Sequence, residues 1–328
     1  MLLIKIKYRL ALLYKTVLFK FGLEKLLLRN RYGERIIVFH GIDKTGNTAY
    51  NSRFISKSYF EDLIRYFSEN YNVISLDEFY QQKFKKDTLN IALTFDDGYL
   101  NNYEYALPIL EKYNLPASFY ITTIHEKNDF LWPDFIDLVS YHTTLKEVIF
   151  ENNTYRKNSK GEFIHQGISL KNRCKQLNYE AIASVYNIFE KDWEILRNKK
   201  LQNYWKLMSI DQIKKIAKNS LFTIGSHSLT HANLTKISIK TAKDEILRSK
   251  QILEDTCKTS ISEFAFPFGT YTNELVNYCT EIGFSKILLV DYNTEKDTLD
   301  PVTKNRFVIN PYISKKQQIA CLLKGSYF

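Results

Sequence analysis

Asn90-Ile91-Ala92-Leu93-Thr94-Phe95-Asp96-Asp97-Gly98-Tyr99 is an apolar run that stops abruptly at two adjacent carboxylates and a glycine. Asn90 to Phe95 reads as a buried strand. In barrel-like α/β folds, strand ends are where catalytic side chains project. Adjacent residues leaving a strand point in different directions, so one aspartate can bind a metal while its neighbour faces the bound water. Far downstream stands His227-Ser228-Leu229-Thr230-His231. In one helical turn, residues four apart are rotated by only about 40° and separated by roughly 6 Å along the axis, so the two imidazoles can converge on one ion. His227 also follows an apolar strand, 221–224, through Gly225-Ser226.

Each motif alone has an ordinary explanation. Asp-Asp-Gly after a strand is often a turn, and two histidines four apart often line a solvated helix face or a cap. Their combination is far more specific. Two histidines and a carboxylate also describe the facial triad of iron oxygenases. Such a triad needs neither a second adjacent aspartate nor a histidine at the end of a separate strand.

Outward from this stretch, further strand-like runs fall near 34–39, 71–75, 117–123, 221–225, 262–266, 284–290 and 306–309. Ser58-Tyr59-Phe60-Glu61 reads as a capping box opening a helix that ends near Asn70, and Ser209-Ile210-Asp211-Gln212 opens another. Asn101 to Tyr113 and Ile239 to Thr256 carry apolar residues at three- and four-residue spacing. Strands alternating with such helices predict a parallel α/β arrangement. More than eighty residues separate the strand ending at Thr123 from the helix at Ser209, too many for a plain connection. They form an insertion, opened by Leu131-Trp132-Pro133-Asp134-Phe135 and mostly helical from Leu170 to Leu196. An insertion leaving the barrel near the strand ends can cap a substrate groove, and Trp132 and Trp205 are either ligand-stacking or buried packing residues.

Thr94-Phe95-Asp96-Asp97-Gly98 and His227-Ser228-Leu229-Thr230-His231 resemble the first two motifs of the NodB-like polysaccharide deacetylases, carbohydrate esterase family 4. The resemblance covers roughly residues 34–124 and 206–310. It implies a distorted (β/α) barrel of the polysaccharide deacetylase type. Its domain plan is a basic apolar helical segment at 1–32, a barrel from 33–124 and 206–328, and the insertion at 125–205. It further implies that Asp96 is the catalytic base and that Asp97, His227 and His231 hold a divalent metal. Zinc is the first choice, and cobalt, iron and manganese suit the same donors. A third motif of the family is echoed by Phe264-Ala265-Phe266-Pro267-Phe268-Gly269, which implies the Phe268 backbone amide as oxyanion donor. Ala265 stands where the family has an arginine, and Arg306 is the candidate substitute. The family's late histidine is also missing, since no histidine follows Gly269. His40-Gly41, after the run Ile36-Ile37-Val38-Phe39, resembles the opening of the circularly permuted branch of poly-N-acetylglucosamine deacetylases, which implies His40 as the acid.

The resemblance implies metal-assisted removal of acetyl from an N-acetylated sugar of a surface polysaccharide or its lipid-linked precursor. A sugar O-acetyl esterase and a catalytically weak glycan-binding relative are the alternatives. With 328 residues and 45% hydrophobic content, the chain can bury a substantial core. Residues 1–31 carry eight of its lysines and arginines and one acid, Glu24, hence +7 of the net +10. A nearly neutral remainder without a nucleic-acid-binding signature excludes nucleic acid as substrate. The cations of 1–31 interrupt its apolar runs, so neither a membrane span nor a signal-peptide core is expected. Two readings stand: a peripheral helix on an anionic inner leaflet, and a helix docked on the barrel. Cys174, Cys257, Cys279 and Cys321 include no closely spaced pair, so buried free thiols are expected. A cytoplasmic location at the inner membrane face follows, with export as the alternative.

Overall fold

The computed structural model describes residues 2–27 and 32–327. Leu28, Arg29 and Arg31 of the basic N-terminal segment lie outside the described residues. Seven parallel strands close into a barrel: β1 (Tyr32–Phe39), β2 (Thr88–Phe95), β3 (Ala117–Ile121), β4 (Phe222–Ser226), β5 (Glu263–Ala265), β6 (Lys286–Leu289) and β7 (Thr303–Val308). They run round the barrel in the order β1-β7-β6-β5-β4-β3-β2, and β2 pairs back onto β1. Asn72–Val73 adds a short eighth strand at the outer side of β2.

The strands are near-continuous apolar runs because both faces are covered, by helices outside and side chains within. The interior is crowded enough to constrain composition. A Cβ at Gly225 would lie 2.5 Å from the Tyr120 ring, so β4 requires glycine there. Register fixes the site. Phe39 pairs with Phe95, and the Asp96 amide donates to the Phe39 carbonyl at 3.0 Å. His40 and Asp96 therefore leave adjacent strands at one level. Ser226 pairs with Ile121 and Phe264, which brings His227 to the same rim.

The helices start where hydroxyl caps permit. Ser209 and Gln212 form the expected capping box of Ile210–Ala217. The helix Lys57–Asn70 is capped by Ser56, whose side chain accepts from the Tyr59 amide, two residues before the expected Ser58. The apolar pattern at 101–113 begins as a π-helical turn, Asn102–Ala106, before the α-helix Leu107–Lys112. Pro108 lacks an N–H to donate backward, and a widened turn absorbs that loss.

Residues 125–205 fold around their own core of Trp132, Phe135, Phe163, Phe189, Trp193 and Trp205. Their helices, Trp132–His142, Leu170–Cys174, Tyr179–Ile188 and Glu190–Arg197, are joined by a four-stranded antiparallel meander between Glu147 and Ser169. The segment is tied to the barrel rim by Asn101 Nδ2 to Asn203 O at 2.7 Å and Leu207 N–H to Asp129 O at 3.0 Å.

The N-terminal helix Leu2–Lys20 packs on Lys315–Lys324 through Leu12, Ile313 and Cys321. Lys15 is buried in that contact and donates to Ser326 O at 2.9 Å. Among the described residues, no helix is long and apolar enough to cross a membrane. All four cysteines are free.

Candidate active site

Asp97 leaves β2 with φ 78 and is followed by Gly98 at φ 82, a reversal that turns its carboxylate back over the barrel mouth. Asp97, His227 and His231 are buried, with donor atoms within 4.8 Å of one another. Asp97 Oδ1 lies 3.1 Å from His231 Nε2 and 3.5 Å from His227 Nε2. His227 and His231 do not share a helical turn. They belong to a loop after β4 in which Ser228 (φ 65) and His231 (φ 57) are left-handed, and this tight reversal brings their rings to 5.1 Å, tilted by 58°.

Several contacts hold that loop. Ser228 Oγ accepts from the His231 amide at 3.1 Å. The buried Glu245 carboxylate, from the helix Ile239–Cys257, accepts from the amides of Leu229 at 3.1 Å and Thr230 at 2.8 Å and from the Thr230 hydroxyl. Trp132 Nε1 donates to His231 O at 3.0 Å. His227 Nδ1 donates to the carbonyl of Ala265 at 2.7 Å, so its Nε2 presents a lone pair to Asp97. Asp97 Oδ1 is itself buried without a hydrogen-bond donor.

Two acceptors facing each other in a dry site are unfavourable unless a cation lies between them. Metal–ligand bonds of about 2.0–2.1 Å in tetrahedral array place ligand atoms roughly 3.4 Å apart, close to the separations found. The donor set therefore fits a divalent metal.

Asp96 stands beside this cluster, its Oδ2 4.0 Å from His227 Nε2. Arg306 reaches it from within the barrel with two hydrogen bonds, Nη1 to Oδ1 at 2.6 Å and Nη2 to Oδ2 at 2.7 Å. Burial alone would raise the Asp96 pKa, but the adjacent guanidinium outweighs it and holds the carboxyl below its ordinary value. Arg306 also lies over the Tyr120 ring at 5.6 Å.

Phe268 is left-handed at φ 59, and its ring packs edge-on to His231 at 4.7 Å. His40 is buried at the rim, where Arg53 Nη1 donates to its Nε2 at 3.0 Å. Burial and the Arg53 charge push its pKa down to about 3, against the opposing pull of Asp97 and Asp96. The resting imidazole is therefore neutral. Trp132 and Trp205 are both buried in the insertion core.

Sequence reading did not find Arg53, Glu245 or the pair Tyr99 and Asp134, whose hydroxyl and carboxylate meet at 2.7 Å under the site. Glu245 carried a signal: it shares a helix face with Ala242, Ile246, Ser249 and Leu253, all buried, where an unpaired carboxylate would be costly.

The family model for polysaccharide deacetylases matches residues 83–156 and 184–287. The fold is similar to that of the Streptococcus pyogenes deacetylase PplD in complex with acetate, at 16% identity over 88% of this chain and 97% of that one, TM-score 0.56. It is also similar to IcaB from Ammonifex degensii, at 15% identity over 89% and 98%, TM-score 0.53. At these identities the likeness is one of fold. No functionally curated protein matches the chain in sequence.

Proposed function

The chain belongs to the polysaccharide deacetylase family, and from that membership we propose that it is a divalent-metal hydrolase removing acetyl from the nitrogen of a sugar in a surface polysaccharide or its lipid-linked precursor. The observation that carries this reading is the ionised Asp96, clamped by Arg306 next to the Asp97-His227-His231 cluster. A structural ion site has no use for a second, separately oriented carboxylate. A bound divalent ion, zinc as first choice, lowers the pKa of water toward neutrality and polarises the acetyl carbonyl.

The chain's own groups do the rest. Asp96 accepts the proton of the attacking water. The backbone amide of Phe268 donates to the tetrahedral oxyanion. His40 protonates the departing nitrogen, which would otherwise leave as an amide anion. Because His40 rests neutral, it takes up that proton during the cycle, and Asp96 is the nearby group that has just collected one.

The neutral His40 favours a second reading, an acetyl ester of a sugar. An alkoxide leaves with less protonic help than an amide anion. Acetate release from N-acetylglucosamine oligomers and from a matched O-acetylated sugar, by chelated protein and by protein restored with zinc or cobalt, separates the two. Metal-dependent release from the amide that is lost in His40→Ala supports the deacetylase. Release from the ester alone, unaffected by His40→Ala, replaces it with the esterase.

We further place the enzyme against an anionic membrane surface, at the inner face, where a lipid-linked sugar would be presented. The support is the outward face of the helix Leu2–Lys20, where Ile6, Leu10, Leu13, Tyr14 and Val17 are exposed among Lys5, Lys7, Arg9 and Lys20.

A further inference from the structure

A cleft of about 380 Å³ lies beside the catalytic rim, between the loop 48–52 and the insertion. Tyr50, Tyr141, Asp137, Lys171 and Lys175 are among its lining residues. Tyr50 and Tyr141 meet edge to face at 5.2 Å, and half of Tyr141 is exposed. Lys175 links the cleft to the catalytic rim. Its ammonium lies 5.3 Å above the Phe268 ring, and that ring packs on His231.

Arg53 follows the same loop. The residue is exposed at the surface, and its guanidinium reaches His40. Arg53 and Lys175 each touch a residue of the catalytic rim, Arg53 through His40 and Lys175 through Phe268, and burial, Lys171 and then the Arg53 charge lower the Lys175 pKa. Of the other charged residues lining the cleft, Lys171 is neutralised by Asp137, and Lys160 and Glu162 are both exposed, Glu162 accepting from Asn158 Nδ2 at 3.0 Å. Among the described residues, neither Arg53 nor Lys175 has a carboxylate partner within ion-pair distance.

Two unneutralised cations beside one active site attract an anion to it. The exposed ring of Tyr141 in the same cleft suits the C–H face of a pyranose ring. We propose that this cleft is a substrate subsite for an anionic sugar unit, one bearing a carboxylate or a phosphate, with Arg53 and Lys175 receiving the anion. The inference rests on the deacetylase reading and narrows its substrate class. It also gives Arg53 a second task. Drawn onto a substrate anion, the guanidinium leaves His40 Nε2 and uncovers that nitrogen for the leaving group.

The test uses the full chain carrying Asp96→Asn, so that binding is measured without turnover. Calorimetry compares a neutral N-acetylglucosamine oligomer, the same oligomer alternating with a uronic acid, and an N-acetylglucosamine phosphate. The anionic ligands are expected to bind about tenfold more tightly than the neutral one. Lys175→Gln and Arg53→Gln should each bring the ratio toward one, and added salt should lower it. Preference for the uronate or for the phosphate identifies the source of the anion. Equal or absent binding of all three, or a ratio untouched by both substitutions, overturns the subsite. In the unsubstituted enzyme, kcat/KM for the same ligands should follow the same order. Anion-selective binding without release of acetate from any ligand would leave the subsite standing and remove the deacetylase reading.

Discussion

Arg306 grips Asp96 from a strand two places round the barrel from Ala265, so the contact depends on how far a side chain reaches through the interior and not on sequence neighbourhood. The fork geometry is what a carboxylate base needs, and lysine cannot reproduce two parallel hydrogen bonds. Arg306→Lys is therefore expected to lower kcat about a hundredfold while the protein retains its metal, as atomic absorption would report. Retention of full kcat would reduce Arg306 to a packing residue. Asp96→Asn should lose roughly 10²–10⁴ in turnover and keep the metal, whereas His227→Ala should lose both together. An Asp96→Asn enzyme with normal turnover would remove the base assignment. The four residues Asp96, Asp97, His227 and His231 are legible in the sequence because each pair lies within one short motif after an apolar run. Arg53 is not legible, since only the folded loop brings it to His40.

At the level of elements, the apolar runs located all eight strands of the main sheet, because strands covered on both faces have little polar alternation to confuse their limits. Spacing was less informative between 227 and 231. A four-residue interval suits a helix and a tight loop alike, and backbone angles at Ser228 and His231 decided for the loop. The antiparallel meander of the insertion escaped notice because its strands are half-exposed and polar residues such as Asn153, Thr154, Arg156 and Lys157 leave no apolar run to mark them. The loop carrying the histidines is costly in backbone entropy and holds its shape through Glu245, which satisfies two amides and a hydroxyl from a neighbouring helix. Glu245→Ala should weaken metal affinity by about 10–100-fold, measured by competition with a chelator. Far-ultraviolet circular dichroism should be little altered. Unchanged affinity would show that the loop is rigid without the clamp.

For the whole molecule, the decisive asymmetry is where charge and exposed apolar area fall. Residues 1–31 hold +7 of the net +10, and the sequence alone could not say which way the helix faces. In the fold the alternatives are compatible. Leu12 and Lys15 dock on the helix Lys315–Lys324, while the opposite face leaves Leu10 and Leu13 each 60% exposed and Phe21 70% exposed. Ile6, Leu10, Leu13, Val17 and Phe21 recur at three- and four-residue spacing, so they form one stripe along the helix. Exposed cations lie on both sides of it: Lys5, Arg9 and Lys20 on one, Lys7 on the other. Near an anionic bilayer each such cation contributes about 1 kcal/mol, and the stripe adds apolar burial that a water-exposed helix would forgo. The Tyr8 hydroxyl accepts from Asn310 in the loop after β7, so the first half of the helix lies toward the catalytic rim, and a bilayer on its outer face would meet that rim from the side. Sedimentation with vesicles is expected to recover the protein on mixed phosphatidylglycerol and phosphatidylcholine but not on phosphatidylcholine alone, with recovery falling as salt rises. Leu10→Glu combined with Leu13→Glu should abolish recovery and leave acetate release from a water-borne oligosaccharide unchanged. Equal recovery of this double variant would refute the lipid-facing stripe. A fall in its oligomeric state without any vesicle binding by the unsubstituted protein would assign the same face to a second copy of the chain.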